Sequence, residues 1–271
     1  MLLIRILTAL ILIPLTVVVL IYLPPLSFRY LTTFIVFGAA WEWGRLIGLS
    51  TKRHCLVYAS VVVVMCFFAL SVTDVNVLAA GCIWWCLSIL MIVFFPKDIS
   101  SWNNIQLEKG MMGLLVLVPC WIAINFIRQQ SDGLYALLFL FVLIWGADSA
   151  AYFVGKICGK HLLAPRVSPG KTWEGCIGGI LFSSVIAAVA LKLGDVPFKL
   201  WPWAFLLSWI TIIFSIVGDL FESVIKRLAG VKDSGNILPG HGGLLDRIDS
   251  LTAAAPVYAF GAWVLGTYIN N

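Results

Sequence analysis

Nine apolar runs, each long enough to cross a bilayer, occupy most of this 271-residue chain, at about 6–23, 30–49, 56–73, 77–95, 111–127, 133–154, 174–194, 202–220 and 251–269. A membrane helix needs about 20 mostly apolar residues to cross a hydrocarbon core of roughly 30 Å. Only helices and closed barrels satisfy their backbone in lipid, and these runs do not alternate in polarity. The expected fold is therefore all-α, a polytopic membrane helical bundle of about nine transmembrane helices. Composition agrees: 61% of residues are apolar and 11% charged, against about 45–50% and about 25% in soluble domains. Little remains for a soluble domain, so residues 1–271 read as one integral membrane domain. Residues 1–130 supply N-terminal spans, and 131–271 supply spans and the polar loops of the candidate site.

The first run, Ile6 to Leu23, is longer than a signal-peptide core and ends in Pro24-Pro25 without a small-x-small cleavage pattern, so it reads as a retained span. Seven scattered Cys, mostly inside apolar runs, lack metal-ligand or paired spacing and read as small apolar residues of a reduced protein. Fourteen of the 18 Lys and Arg fall at the N-terminus or in the even-numbered loops, which the positive-inside bias assigns to the cytoplasm. Trp102, Trp121, Trp201 and Trp203 lie near span ends, where aromatic anchors are expected.

Charge at membrane depth is expensive and marks function by default. The informative stretch runs from Asp219 to Asp249, DLFESVIKRLAGVKDSGNILPGHGGLLDRID. The helical pattern from Pro202 to Leu228 is about 40 Å long at 1.5 Å per residue, so its last turns project beyond the hydrocarbon core and Asp219 sits near the boundary. Asp219, Glu222, Ser223 and Lys226 share one helical face. A glycine-rich loop follows, with Gly230, Gly235, Gly240, Gly242 and Gly243 beside Pro239 and His241, and lets backbone N–H groups approach a ligand. Asp246, Arg247 and Asp249 then open the last span. Acids gathered where phosphate would bind repel it unless a divalent cation stands between, so the acids suit Mg²⁺ while Lys226, Arg227, Lys232 and Arg247 suit phosphate oxygens.

Taken singly, Glu222, Lys232 and Asp233 read equally well as a solvated face. Asp219 does not, because an acid in the final apolar turn has no solvent reason to be there. A second polar patch in the sixth loop holds Lys156, Lys160, His161, Arg166 and Ser168-Pro-Gly-Lys171-Thr172-Trp173-Glu174-Gly175. It lacks the GxxxxGK[ST] spacing of a P-loop. Asp148 reads as a buried acid hydrogen-bonded to Tyr152 or as part of the site, Glu42 is similarly ambiguous, and His54 and His161 read as loop residues. The Cys82/Cys86 pair reads as packing.

Ser223-Val-Ile-Lys226-Arg227, Lys232-Asp233 and Leu238-Pro239-Gly-His241-Gly242-Gly243-Leu-Leu-Asp246-Arg247-Ile-Asp249 together resemble the complete signature of the phosphatidate cytidylyltransferases, or CDP-diglyceride synthetases, with no departure. The Asp148-to-Gly159 segment and the sixth-loop Ser168-to-Gly175 motif are also similar to that family; the N-terminal half matches by hydropathy alone. The resemblance implies transfer of a cytidylyl group from CTP to phosphatidic acid in phospholipid biosynthesis, giving CDP-diacylglycerol and pyrophosphate with Mg²⁺ at the cytoplasmic face of a bacterial-type inner membrane. Asp219 and Asp246 would hold the metal with Asp249 close by, and Asp219, Asp246, Lys226 and Arg247 form the expected catalytic set. Ser223, Arg227, Lys232, Asp233, His241, Gly242, Gly243, Ser168 and Lys171 would bind substrate. The partners implied are CTP, phosphatidic acid and the bilayer, with no nucleic acid; a homodimer stays open. The alternatives are a CTP-dependent membrane lipid kinase and, from another class, an ion-coupled transporter, which would need mid-bilayer acids and broken helices in paired repeats.

Overall fold

The structure is a computed structural model and describes residues 13–94, 106–235 and 242–270, with side chains to residue 267. Nine helices appear among the described residues: α1 (Ile13–Tyr22), α2 (Pro25–Leu46), α3 (Lys52–Ala69), α4 (Asp74–Val93), α5 (Gln106–Gln129), α6 (Gly133–Cys158), α7 (Trp173–Leu193), α8 (Trp201–Leu228) and α9 (Leu245–Asn270). Each expected run overlaps one of them, and α3 to α9 are all long and apolar enough to cross a membrane. The protein is a polytopic helical membrane protein. In α2 the charges of Arg29, Glu42 and Arg45 interrupt the apolar pattern. The segments holding Arg5, Lys97, Trp102 and His241 lie outside the described residues.

Two features escape the hydropathy pattern. Between α6 and α7 the sixth loop folds into an antiparallel hairpin, β1 (Leu162–Ala164) with β2 (Ser168–Thr172), Leu162 opposite Thr172 and Ala164 opposite Ser168. Trp121, expected at an interface, is fully buried in α5 and tilts against Phe67 at 5.5 Å between ring centroids. Its helix is flanked by α3, α4, α6 and α9, so position 121 faces protein rather than headgroups.

Small residues set the helix spacings that matter for the site. Ala253, Ala254 and Ala255 are all buried in α9, which packs against α4, α5 and α8. A Cβ on Gly218 would lie 2.6 Å from the Asp249 carbonyl oxygen and 3.0 Å from the Ala253 Cβ, so glycine there allows α8 and α9 to close at the level of the acids. Likewise, a Cβ on Gly175 would lie 2.7 Å from the Ala151 oxygen, and one on Gly179 3.0 Å from the Ala147 oxygen. Alpha-helix α7 therefore lies tight against α6 and holds the hairpin at its own N-terminus.

Candidate active site

The last turns of α8 carry the first arm. Trp201-Pro202 starts the helix, where a proline ring fits without losing an intrahelical bond, and Lys226 and Arg227 end it against the negative end of the dipole. Gly230, at φ +69°, terminates it in the left-handed conformation that other residues avoid, with the Val231 N–H returning to the Lys226 carbonyl at 3.0 Å. On the face read from the sequence, the Ser223 hydroxyl lies 3.5 Å from Asp219 Oδ1, and Lys226 Nζ lies 3.2 Å from Glu222 Oε1. Lys226 also donates to Asp246 Oδ1 at 2.7 Å, which ties α8 to the start of α9. This triad is closed: side-chain exposure is 4% for Glu222, 12% for Lys226 and 7% for Asp246.

Asp246 stands in the first turn of α9, where an acid meets the positive end of the dipole. Its Oδ2 accepts from the backbone N–H of Ser234 at 2.9 Å and of Gly243 at 2.8 Å, so one carboxylate gathers both ends of the glycine-rich loop. Gly242, at φ +82°, makes this approach possible; a Cβ there would lie 2.7 Å from Asp246 Oδ2.

The hairpin brings the second arm. Thr172 caps α7 by accepting from the Gly175 N–H at 3.1 Å, and the His161 imidazole pairs with Glu174 at 2.6 Å across the hairpin mouth. Lys171 Nζ then reaches Asp219 Oδ2 at 2.6 Å, while Arg227 Nε donates to the Val167 carbonyl at 3.3 Å. This pair is more open, with Lys171 25% and Asp219 30% exposed. Two polar patches separated in sequence by the α7 span thus meet on one stretch of α8.

With that geometry in place, the whole chain can be set beside known proteins. The family model described as "Cytidylyltransferase family" matches residues 3–265. The chain belongs to the cytidylyltransferase family. It is a nucleotidyltransferase. Among curated relatives of this cytidylyltransferase, the phosphatidate cytidylyltransferase of Pseudomonas aeruginosa is 40% identical over 264 residues, covering 97% of each chain. That of Haemophilus influenzae is 35% identical, covering 94% of this chain and 96% of its own. That of Staphylococcus aureus is 44% identical over 196 residues, covering 62% of this chain and 74% of its own.

The remaining expected residues of the cytidylyltransferase fall as follows. Asp249 is one helical turn along from Asp246, with Asp219, Lys226 and Lys171 as electrostatic neighbours, and its Oδ1 accepts from the Ser250 N–H at 2.7 Å. Ser168 opens β2, and Arg227 docks the hairpin rather than standing free. Lys232, Asp233 and Arg247 are exposed. Glu222, which from sequence read equally as a solvated face, is buried at 3% exposure. Asp148 faces the site: Ser250 Oγ lies 3.5 Å from its Oδ2 and Lys171 and Asp219 are electrostatic neighbours, whereas Tyr152 points outward and lies under Lys156. Cys82 packs with its thiol 3.8 Å from the Pro256 carbonyl.

Sequence reasoning left Glu42 unassigned, and it is fully buried against the start of α9, the helix that carries Asp246. The signal available was the cost of an acid in an apolar run.

The donor set also bears on metal. Five carboxylates, Asp148, Asp219, Glu222, Asp246 and Asp249, crowd around two ammonium groups, Lys171 and Lys226. Both Glu222 oxygens are buried without a hydrogen-bond partner, since the Lys226 contact at 3.2 Å is off hydrogen-bond geometry. Unneutralised buried carboxylate is costly, and hard oxygen donors suit Mg²⁺. Among the described residues no three acid, His or Cys side chains form a closed metal cage.

Proposed function

We propose that this cytidylyltransferase joins CTP to phosphatidic acid, forming CDP-diacylglycerol and releasing pyrophosphate. The observation that carries the reading is the meeting of the Lys171–Asp219 pair and the Glu222–Lys226–Asp246 triad at one end of an otherwise apolar bundle. One substrate is a membrane lipid and the other a water-soluble polyanion, and such a rim is open to both.

The attacking group is a phosphomonoester oxygen whose second pKa is about 6, so it is already largely ionised at neutral pH and needs no general base. Its oxygen bonds to the α-phosphorus of CTP as the bond from that phosphorus to the bridging oxygen of the pyrophosphate breaks. Catalysis then rests on positioning and charge neutralisation. Lys171, Lys232 and Arg247 would meet phosphate oxygens, while Lys226 is held between two carboxylates and fixes Asp246. Asp219 and Asp246 would hold Mg²⁺, with Asp249 close by, and the ion would supply positive charge to the triphosphate.

In this reading the site faces the cytoplasm of an inner membrane. Single cysteines placed at Lys160 or Asp233 in a cysteine-free background should resist an impermeant reagent added to intact cells. Labelling from outside would overturn the orientation.

The deciding experiment is incubation of purified protein with CTP, Mg²⁺ and phosphatidic acid. CDP-diacylglycerol and pyrophosphate in equal amounts are expected. Release of CDP with a phosphorylated lipid would instead make the protein a lipid kinase.

A further inference from the structure

Glu42 lies near the C-terminal end of α2, far in sequence from everything described above, and is fully buried. A buried carboxylate at membrane depth persists only where it is paired or fully hydrogen-bonded. Its partners are specific. Oε1 accepts from the Leu244 N–H at 3.0 Å, and Oε2 accepts from the Leu245 N–H at 2.8 Å and from the Ser234 hydroxyl at 3.1 Å. Leu244 and Leu245 are the residues at which α9 begins. Glu42 therefore satisfies free N–H groups of a helix start from another helix and sets its negative charge at the positive end of the α9 dipole.

Asp246 accepts from Ser234 and Gly243 on the same two backbone segments. The two carboxylates thus share the ends of the glycine-rich loop, both bonded to Ser234 and to the run 243–245. Packing leaves them no slack: a Cβ on Gly243 would lie 2.5 Å from Glu42 Oε2 and one on Gly235 2.8 Å from Glu42 Cδ.

We propose that Glu42 is a positioning residue for the transfer reaction: by capping α9 and holding Ser234, it closes a two-carboxylate clasp that fixes Asp246 against Lys226. The catalytic consequence rests on the functional reading above; the clasp itself does not. A displacement of about 1 Å at a catalytic group can lower turnover about a hundredfold, so the orientation of one carboxylate is worth a dedicated support.

The test compares wild type, Glu42→Gln and Glu42→Asp, with Glu108→Gln at an exposed acid of α5 as control. Glutamine keeps the volume but turns an N–H donor toward N–H donors and removes the charge facing the dipole. Expected for Glu42→Gln is a kcat lower by about tenfold or more with KM for CTP changed less than about threefold. Amide hydrogen exchange in a peptide spanning Leu244 and Leu245 should speed up, while peptides from α5 and α7 keep wild-type rates. Glu42→Asp, which keeps the charge at shorter reach, should recover part of both effects. Should Glu42→Gln fail to fold, Ser234→Ala removes one of the clasp contacts and should move kcat and exchange in the same direction by less. Unchanged kcat, or lowered kcat with unchanged exchange at Leu244 and Leu245, overturns the proposal. If wild type itself forms no CDP-diacylglycerol, the functional reading fails and the exchange comparison still decides the clasp.

Discussion

The two arms of the site use the same chemistry at different depths. Lys171 and Asp219 are a quarter to a third exposed, whereas Glu222, Lys226 and Asp246 are nearly sealed. An exposed ion pair is weak because water and salt screen it, so a phosphate can take over its lysine at little cost. A buried pair behaves oppositely: removing one partner strands the other in low dielectric. The hairpin arm is accordingly suited to exchanging partners with substrate, and the α8–α9 arm to holding a fixed frame. Their support differs in the same sense. Lys171 is carried on a two-stranded hairpin, while Asp246 is gripped by two backbone amides and a lysine.

Several substitutions would break or sharpen that contrast. The largest effect is expected from Lys226→Met, which strands Glu222 and Asp246 together; about 3–5 kcal/mol of stability should be lost, with turnover, as detergent-solubilised melting and assay would register. Lys171→Met should leave melting nearly unchanged and raise the KM for CTP by about ten- to a hundredfold, the worth of a charge-assisted hydrogen bond. Equal loss of stability in both variants would erase the distinction between the arms. Gly218→Ala is expected to cost about 1–3 kcal/mol by overpacking α8 against α9, with lowered turnover from splayed acids. Smallest is Asp233→Asn, in the exposed loop, for which a change under about threefold in kcat/KM is expected.

Much of the frame was legible because hydropathy over some 20 residues is a strong signal and lipid admits few backbones. The α8 extension to Leu228 and the shared face of Asp219, Glu222, Ser223 and Lys226 followed from helical spacing. The hairpin did not. Its strands of three and five residues contain Pro169 and Gly170, and strand pairing depends on partners that local pattern does not name. Trp121 misled for a related reason: nearness to a span end says nothing about whether that side faces lipid or a neighbouring helix. Glu42 shows the limit most plainly, since its partners lie some 200 positions away and only packing identifies which helix start it caps.

The most direct test of a single two-armed site is CDP-diacylglycerol formation by Asp219→Asn and Asp246→Asn across a Mg²⁺ titration. Amide replaces carboxylate at nearly equal volume but loses the charge that pairs with Lys171 or Lys226 and that would face the metal. Both variants are expected to elute as folded protein and to lose turnover by about a hundredfold or more at every Mg²⁺ concentration. Near-normal turnover with unchanged Mg²⁺ dependence in one variant would remove that residue from the site, and in both would contradict the account.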